Sequence, residues 1–569
     1  MENPKDSPVR NPDPWGIEPG YTDALGLWHD TPTEVRSVIR DSMGTAAPKP
    51  GSSPPNRVPV HPERCPDTPS RRAWGWAVQL YSLRSSSSWG IGDLADLRRL
   101  GRWSSDMGAR FLQVNPLLAA QMAPPIDPSP YFPSSRRFLN LLYLRIEEVP
   151  GAREAAAELE GLSAGGRALN ERDLIDRDAV FRLKLAALEM LWIRFGRNLE
   201  FERFVTEGGV GLAQFATFCV LSESHGPDWR KWPRDFRRAD SPAVARFADS
   251  NRDRVAFHQW LQWLLDGQLH QAAQAIPLIQ DLPIGFDPGG ADAWAWQDLL
   301  ATDMAVGAPP DEFNPQGQNW GLPPFIPHRL REAGYGPIRE TLRAVLKHAR
   351  GLRVDHVMGL FRLYWIPKGA NPALGAYVRY AHEEMLAVLA QECRRVEAFA
   401  VGEDLGTVEP GVREAMDAWG LLGSKVLWFE TSPPSIYPRQ TMATLSTHDL
   451  PTLAGLWNGK DAEEQKSLGL VPATDSMQSV LHRLKTMAGL SSKSDANEVA
   501  RRVHRLLAES ASALIAASLE DALAVDRRPN LPGTVLERPN WRIPLPVTLE
   551  ELEKHPLVKD VATALDRRP

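Results

Sequence analysis

Eight short apolar runs, set apart by helical stretches, constrain this 569-residue chain more than any other feature. They fall at residues 74–83, 109–117, 276–285, 352–357, 397–402, 424–429, 441–446 and about 513–517. Short strand-like runs of this length, alternating with helical stretches, are what a parallel sheet of βα units requires. The first unit is the most legible. Trp74–Leu83 predicts a strand and Arg84–Asp93 a loop. Asp93 is a good N-cap for a helix over Leu94–Met107, and Ala109–Leu117 predicts the next strand. Helical runs at Pro337–Ala349, Pro372–Arg394 and Val408–Trp419 separate several of the later strands. Alternation of this kind with eight strands predicts the α/β class and a (β/α)8 TIM barrel.

The barrel pattern starts at Ala73 and is interrupted once on a large scale. From Ala152 to Ala275 the sequence is largely helical, including Asp178–Asn198 and Arg254–Ala275. It predicts a helical subdomain inserted at about 120–275, preceded by a proline- and serine-rich loop at Pro124–Arg137. Residues 1–72 form an N-terminal extension with one helix at Thr31–Ser42 and a proline-rich linker at Lys49–Arg72. The catalytic unit is then 73–569.

Composition excludes several classes. A net charge of −6 carries no basic footprint, so nucleic acid is not an expected partner. Cys65, Cys219 and Cys393 are few and far apart, which argues against a disulfide framework or a metal site and fits a reducing compartment. The first 20 residues lack the apolar core of a signal peptide, and no run approaches a membrane span, so a cytoplasmic protein is expected. The 19 tryptophans hint at sugar-stacking surfaces, although most are expected in the core. Core packing is the expectation for Trp229, Trp232, Trp260 and Trp263.

Three of the strand ends carry carboxylates. Asp355 follows the strand Leu352–Val354, Glu403 closes Ala398–Gly402, and Asp449 ends Leu445–His448. The acids lie 48 and 46 residues apart, about one βα unit each, so in a barrel they converge on one pocket. Alternation along the strand puts Arg353 on the same face as Asp355, where the guanidinium holds the carboxylate ionised and aims it. On that segment alone a structural ion pair reads the same. Three convergent acids without metal-ligand spacing suit glycosyl transfer, with one nucleophile, one proton donor and one clamp on sugar hydroxyls.

The motifs carry a resemblance across about Ala73 to Trp541. They are Ser88-Trp-Gly-Ile-Gly-Asp93, Ser129-Pro-Tyr-Phe-Pro-Ser-Ser-Arg-Arg-Phe-Leu-Asn140, Val306-Gly-Ala-Pro-Pro-Asp-Glu-Phe313 and Gly317-Gln-Asn-Trp-Gly-Leu-Pro-Pro324. They continue with Arg353-Val-Asp-His356, Gly402-Glu-Asp-Leu-Gly406, Thr447-His-Asp-Leu-Pro-Thr452 and Asn530-Leu-Pro-Gly-Thr534. In these the chain resembles the 4-α-glucanotransferases called amylomaltases, or disproportionating enzymes, of the wider α-amylase clan. The resemblance implies a retaining double displacement on α-1,4-glucans such as maltooligosaccharides, with no cofactor. Asp355 matches the nucleophile and Glu403 the general acid/base, its pKa raised by burial and by Asp355 and Asp404. Asp449, beside His448, matches the residue that grips the 2- and 3-hydroxyls. Arg353 and His356 flank the nucleophile, and Tyr131 matches a tyrosine stacking at the donor sugar. Asp311, Gln318 and Trp320 fall on a flexible loop over the cleft at about 306–324. One departure is Met358, where many relatives carry a polar residue.

Two other readings share these features. A hydrolase of the same clan uses the same three acids, but the 306–324 loop favours transfer. A non-catalytic glucan-binding protein would be expected to have lost at least one acid, and all three are present.

Overall fold

A computed structural model of the protein describes residues 11–23, 26–44, 63–68, 72–311, 314 and 316–566. Most of the linker expected at Lys49–Arg72 lies outside the described residues.

The eight runs form one parallel eight-stranded barrel: β1 Ala73–Val78, β2 Phe111–Val114, β3 Leu278–Leu282, β4 Gly351–Val354, β5 Phe399–Gly402, β6 Gly423–Val426, β7 Thr441–Thr444 and β8 Leu514–Ser518. Each strand pairs with its sequence neighbour, and β8 pairs with β1. A single parallel bridge between Val401 and Leu422 closes the ring from β5 to β6. Phe111, Ile279, Phe399, Met442 and Leu514 pack together in a buried cluster of barrel-strand residues. Gly351 makes room for one of them, since a Cβ there would lie 2.5 Å from the Phe399 ring.

The first helix shows how local sequence sets the entry angle of a βα unit. Asp93 caps Leu94–Asp106, accepting from the Ala95 and Asp96 amides, and Asp96 reciprocates at the Asp93 amide. Arg145 bonds to both carboxylates at 2.6 and 2.7 Å, and the Ser85 and Ser88 hydroxyls donate to Asp96. The serine-rich loop is therefore held as a buried polar network.

Between β2 and β3 lie the helices Ala156–Ala168, Arg177–Trp192, Leu199–His225, Pro242–Ser250 and Arg252–Ala275. Trp229, Trp232 and Trp260 are buried in the core there, with Trp263 packed against it. Leu199–His225 meets the length and composition of a membrane span, against the expectation of no such run. It is kinked at Gly209, and its Leu212–Ser222 half is buried in the protein.

Several boundaries differ from expectation. The first strand stops at Val78 because the Asn115 side chain takes the Leu80 amide and a 3-10 turn follows at Leu80–Ser82. The helix expected from Pro372 begins at His382, and Ala376–Arg379 is a strand. The expected loop at 306–324 is a hairpin of strands Met304–Ala308 and Gln318–Leu322. With Arg362–Pro367 and Ala376–Arg379 it makes an antiparallel sheet beside the barrel. Ser135–Leu139, in and beyond the expected proline-rich loop, pairs with Leu118–Ala119.

Replacing Asp93 with Ala uncaps the helix and strips Arg145 of one partner. Urea unfolding of Asp93→Ala is predicted to show a loss of about 2 kcal/mol or more. An unchanged midpoint would mean that the network is dispensable.

Candidate active site

The tips of β3, β4, β5 and β7 bring the polar side chains together. Arg353, next to last on β4, is buried and donates to Asp281 on β3 at 2.7 and 2.9 Å and to Asp355 at 2.9 Å. The register accounts for this, since Arg353 lies opposite Asp281 in the β3–β4 ladder. Burial works against the guanidinium charge. The carboxylates of Asp281 and Asp355 outweigh that effect and hold its pKa well above the usual value. Tyr131 donates its hydroxyl to Asp281 at 2.7 Å and stacks on His448 with ring centroids 4.6 Å apart. Burial, then the Asp281 charge, pushes the Tyr131 phenol well up, so it stays a donor.

Glu403 sits one residue beyond β5. Its Oε2 accepts from the His356 amide at 2.8 Å and its Oε1 from the Leu405 amide at 3.0 Å. Its backbone bonds to Val354 and Val357 zip the two strand tips together. Burial raises its pKa, Arg353 lowers it, Asp355 raises it, and the result stands at about 7. Asp404 is turned away, to Arg413 at 2.7 Å and the Ser424 amide at 2.7 Å, contrary to the expected role for its charge. His356 has a left-handed backbone with φ 46°. Burial lowers its imidazole pKa to about 4, so the ring is neutral.

Asp449 is the most open of the three acids, with 44 % of its side chain exposed. Its Oδ1 accepts from Asn530 at 2.7 Å and lies 3.5 Å from His448 Nε2. Arg528 donates to the Asp449 carbonyl and the Asn530 amide to the His448 carbonyl, so the segment after β8 pins the tip after β7. On the hairpin, Trp320 meets His356 edge to face at 5.3 Å, and Gln318 accepts from the Trp320 indole at 3.2 Å. Asp311 is exposed on the turn joining the hairpin strands, where its carboxylate accepts from the Asn314 amide.

Asp281, Asn530 and Trp541 were absent from the expected site. Asp281 is the next-to-last residue of the strand Leu278–Leu282, inside the run at 276–285, where the sequence reads it as part of the strand. Trp541 packs at 5.4 Å from Tyr131 and 5.1 Å from His448 and backs both rings.

A (β/α)8 barrel that gathers a buried protonatable glutamate and an arginine-held aspartate at its strand tips defines a barrel enzyme of glycosidic bonds. Comparison with known proteins narrows this. The family described as 4-alpha-glucanotransferase matches residues 78–549. The 4-alpha-glucanotransferase of Mycobacterium tuberculosis (strain ATCC 25618 / H37Rv) is 43 % identical over 537 residues, covering 85 % of this chain and 73 % of that protein. That of Haemophilus influenzae is 35 % identical over 525 residues, covering 83 % and 75 %. The crystal structure of amylomaltase from Corynebacterium glutamicum superposes with a TM-score of 0.86 at 29 % identity, covering 98 % of this chain and 99 % of that one. The chain belongs to the 4-alpha-glucanotransferase family and is an enzyme with that activity.

Asp281 is buried and shared between Arg353 and Tyr131, so Asp281→Asn leaves Arg353 with one carboxylate. Its kcat/KM is predicted to fall on the order of 10²-fold with the far-UV spectrum unchanged. Activity within twofold of wild type would show that the Asp355 contact suffices.

Proposed function

We propose that the enzyme transfers α-1,4-glucan segments between maltooligosaccharides by a retaining double displacement. In the first half the Asp355 carboxylate attacks the anomeric carbon. The bond to the leaving glucan breaks, and the Glu403 proton passes to the departing oxygen. In the second half Glu403, now a carboxylate, takes the proton of an acceptor 4-hydroxyl. That oxygen attacks the same carbon and the bond to Asp355 breaks. The observation that carries the reading is Glu403 itself, a carboxyl buried beside Asp355 and poised at about 7, able to give a proton and take it back near neutral pH.

The remaining residues have positioning and binding roles in this reading. Arg353 aims Asp355, Asp281 holds Arg353, and Tyr131 donates to Asp281. Asp449, steadied by Asn530 and beside His448, is open enough to grip a pair of sugar hydroxyls. In this reading the hairpin strand with Gln318 and Trp320 lies over the cleft beside His356, and Asp311, exposed between the two hairpin strands, is a glucan contact. An apolar cover disfavours water against a sugar acceptor at the covalent stage.

Maltotriose as sole substrate tests the reading. The expected products are glucose together with chains longer than maltotriose, and Asp355→Asn abolishes both. Glucose and maltose alone would mean that water is the acceptor and the enzyme a hydrolase. Because donor cleavage needs Glu403 protonated, kcat/KM for maltotriose is predicted to hold below pH about 7 and to fall tenfold per unit above it. A profile flat to pH 9 would remove Glu403 from the acid role.

A further inference from the structure

The N-terminal segment joins the catalytic unit through four buried or half-buried charges. Gly16–Glu18 run antiparallel to Tyr377–Arg379: the Arg379 amide donates to Gly16 at 2.9 Å and the Glu18 amide to Tyr377 at 2.9 Å. The segment thereby extends the edge of the antiparallel sheet and buries the Glu18 side chain, which is only 5 % exposed. Arg362 donates to Glu18 at 2.6 Å, and Arg379 Nε lies 2.7 Å from its other oxygen. Both arginines also meet Glu409, Arg362 at 3.4 Å and Arg379 through its Nη2. Tyr377 completes the surround, with the Arg362 guanidinium 3.9 Å over its ring.

The two segments gripped here are those that cradle Glu403. Arg362 lies six residues after His356, whose amide holds one Glu403 oxygen, with only the turn Val357–Leu360 and Phe361 between. Glu409 lies six residues after Glu403, at the far end of the loop whose Leu405 amide holds the other oxygen. Two positive and two negative groups thus tie both halves of the cradle to the N-terminal segment. Among the described residues, the charged partners given for the cluster all lie outside the barrel strands.

We infer that Glu18 is a positioning residue for Glu403: by joining Arg362 and Arg379 it keeps the two loops closed over the buried carboxyl. The inference rests on the acid/base reading of Glu403. Without Glu18 both arginines depend on Glu409 alone, the loop after Glu403 loosens and water reaches the carboxyl. Hydration favours its charged form, so its pKa falls. The charged groups facing Glu403, Arg353 and Asp355, stay in place, with Asp404 held at Arg413. The His356 and Leu405 amides move with the loops, and their weakening works against the fall. Burial is the largest influence on the carboxyl, so its loss decides the sign.

The test uses the full chain as wild type, Glu18→Gln and Glu409→Gln, with Asp93→Ala as a variant that lowers stability without touching the cluster. Infrared difference titration against Glu403→Gln reads the Glu403 pKa without turnover, and the maltotriose pH profile reads it in catalysis. Glu18→Gln is expected to lower the Glu403 pKa by about half a unit or more and to move the basic limb of kcat/KM with it. Glu409→Gln is expected to shift both in the same direction, and Asp93→Ala neither. If either cluster variant folds and keeps the wild-type titration, Glu18 is structural only and the inference fails. If wild type yields no chains longer than maltotriose, the functional reading fails, while the titration still decides the contact between Glu18 and the cradle.

Discussion

The site depends on one buried guanidinium. Arg353 is inside the barrel mouth, where an unpaired charge is very costly, and the bonds to Asp281 and Asp355 are what make its burial tolerable. Removing one partner from such a group typically costs about 3–5 kcal/mol, so the three side chains act as a unit. That unit fixes the direction of Asp355, sets part of the field at Glu403 and, through Asp281, orients Tyr131. Neighbouring barrel strands in register place these residues side by side, so the geometry follows from the sheet and not from loop conformation.

Glu403 shows how backbone and burial divide the work. Two amides and Arg353 favour its carboxylate, while burial and Asp355 favour the neutral acid. The opposing effects leave it at about 7, the range that both halves of the proposed transfer call for. The left-handed residue His356 supplies one of the two amides, a local backbone cost at the point where the chemistry needs a donor. The more open Asp449 is held by the segment after β8, so Asp449 and Glu403 are steadied by different parts of the chain.

The barrel was legible because short strand-like runs recur between helical stretches at the spacing of βα units. All eight runs became strands, several shorter than expected, the first because the Asn115 side chain takes the Leu80 amide. The antiparallel sheet was not legible. Gln318–Leu322 is half exposed and glycine-containing, and Ala376–Arg379 follows a proline-rich stretch and runs into a strong helix, so local composition masked both strands. The convergence of Asp355 and Glu403 follows their strand-end spacing, whereas Asp449, expected at the end of a strand, lies five residues beyond β7 in a loop. Tyr131 and Trp320 were expected from resemblance alone. Asp281 escaped because it lies within its strand and 74 residues before Asp355, outside the one-unit spacing that linked the other acids. The Glu18 cluster escaped because its four charges are far apart in sequence and meet only through tertiary pairing.

The central claim is that Asp355 forms a covalent bond to the donor sugar while Glu403 serves both halves of the reaction. It is tested most directly with Glu403→Gln and α-maltosyl fluoride, a donor whose leaving group needs no acid. The first half then proceeds and the second stalls for want of a base. The account predicts an enzyme carrying one maltosyl group, mapped by mass spectrometry of peptides to Asp355. Fluoride release with no adduct, or an adduct on any other residue, would contradict it.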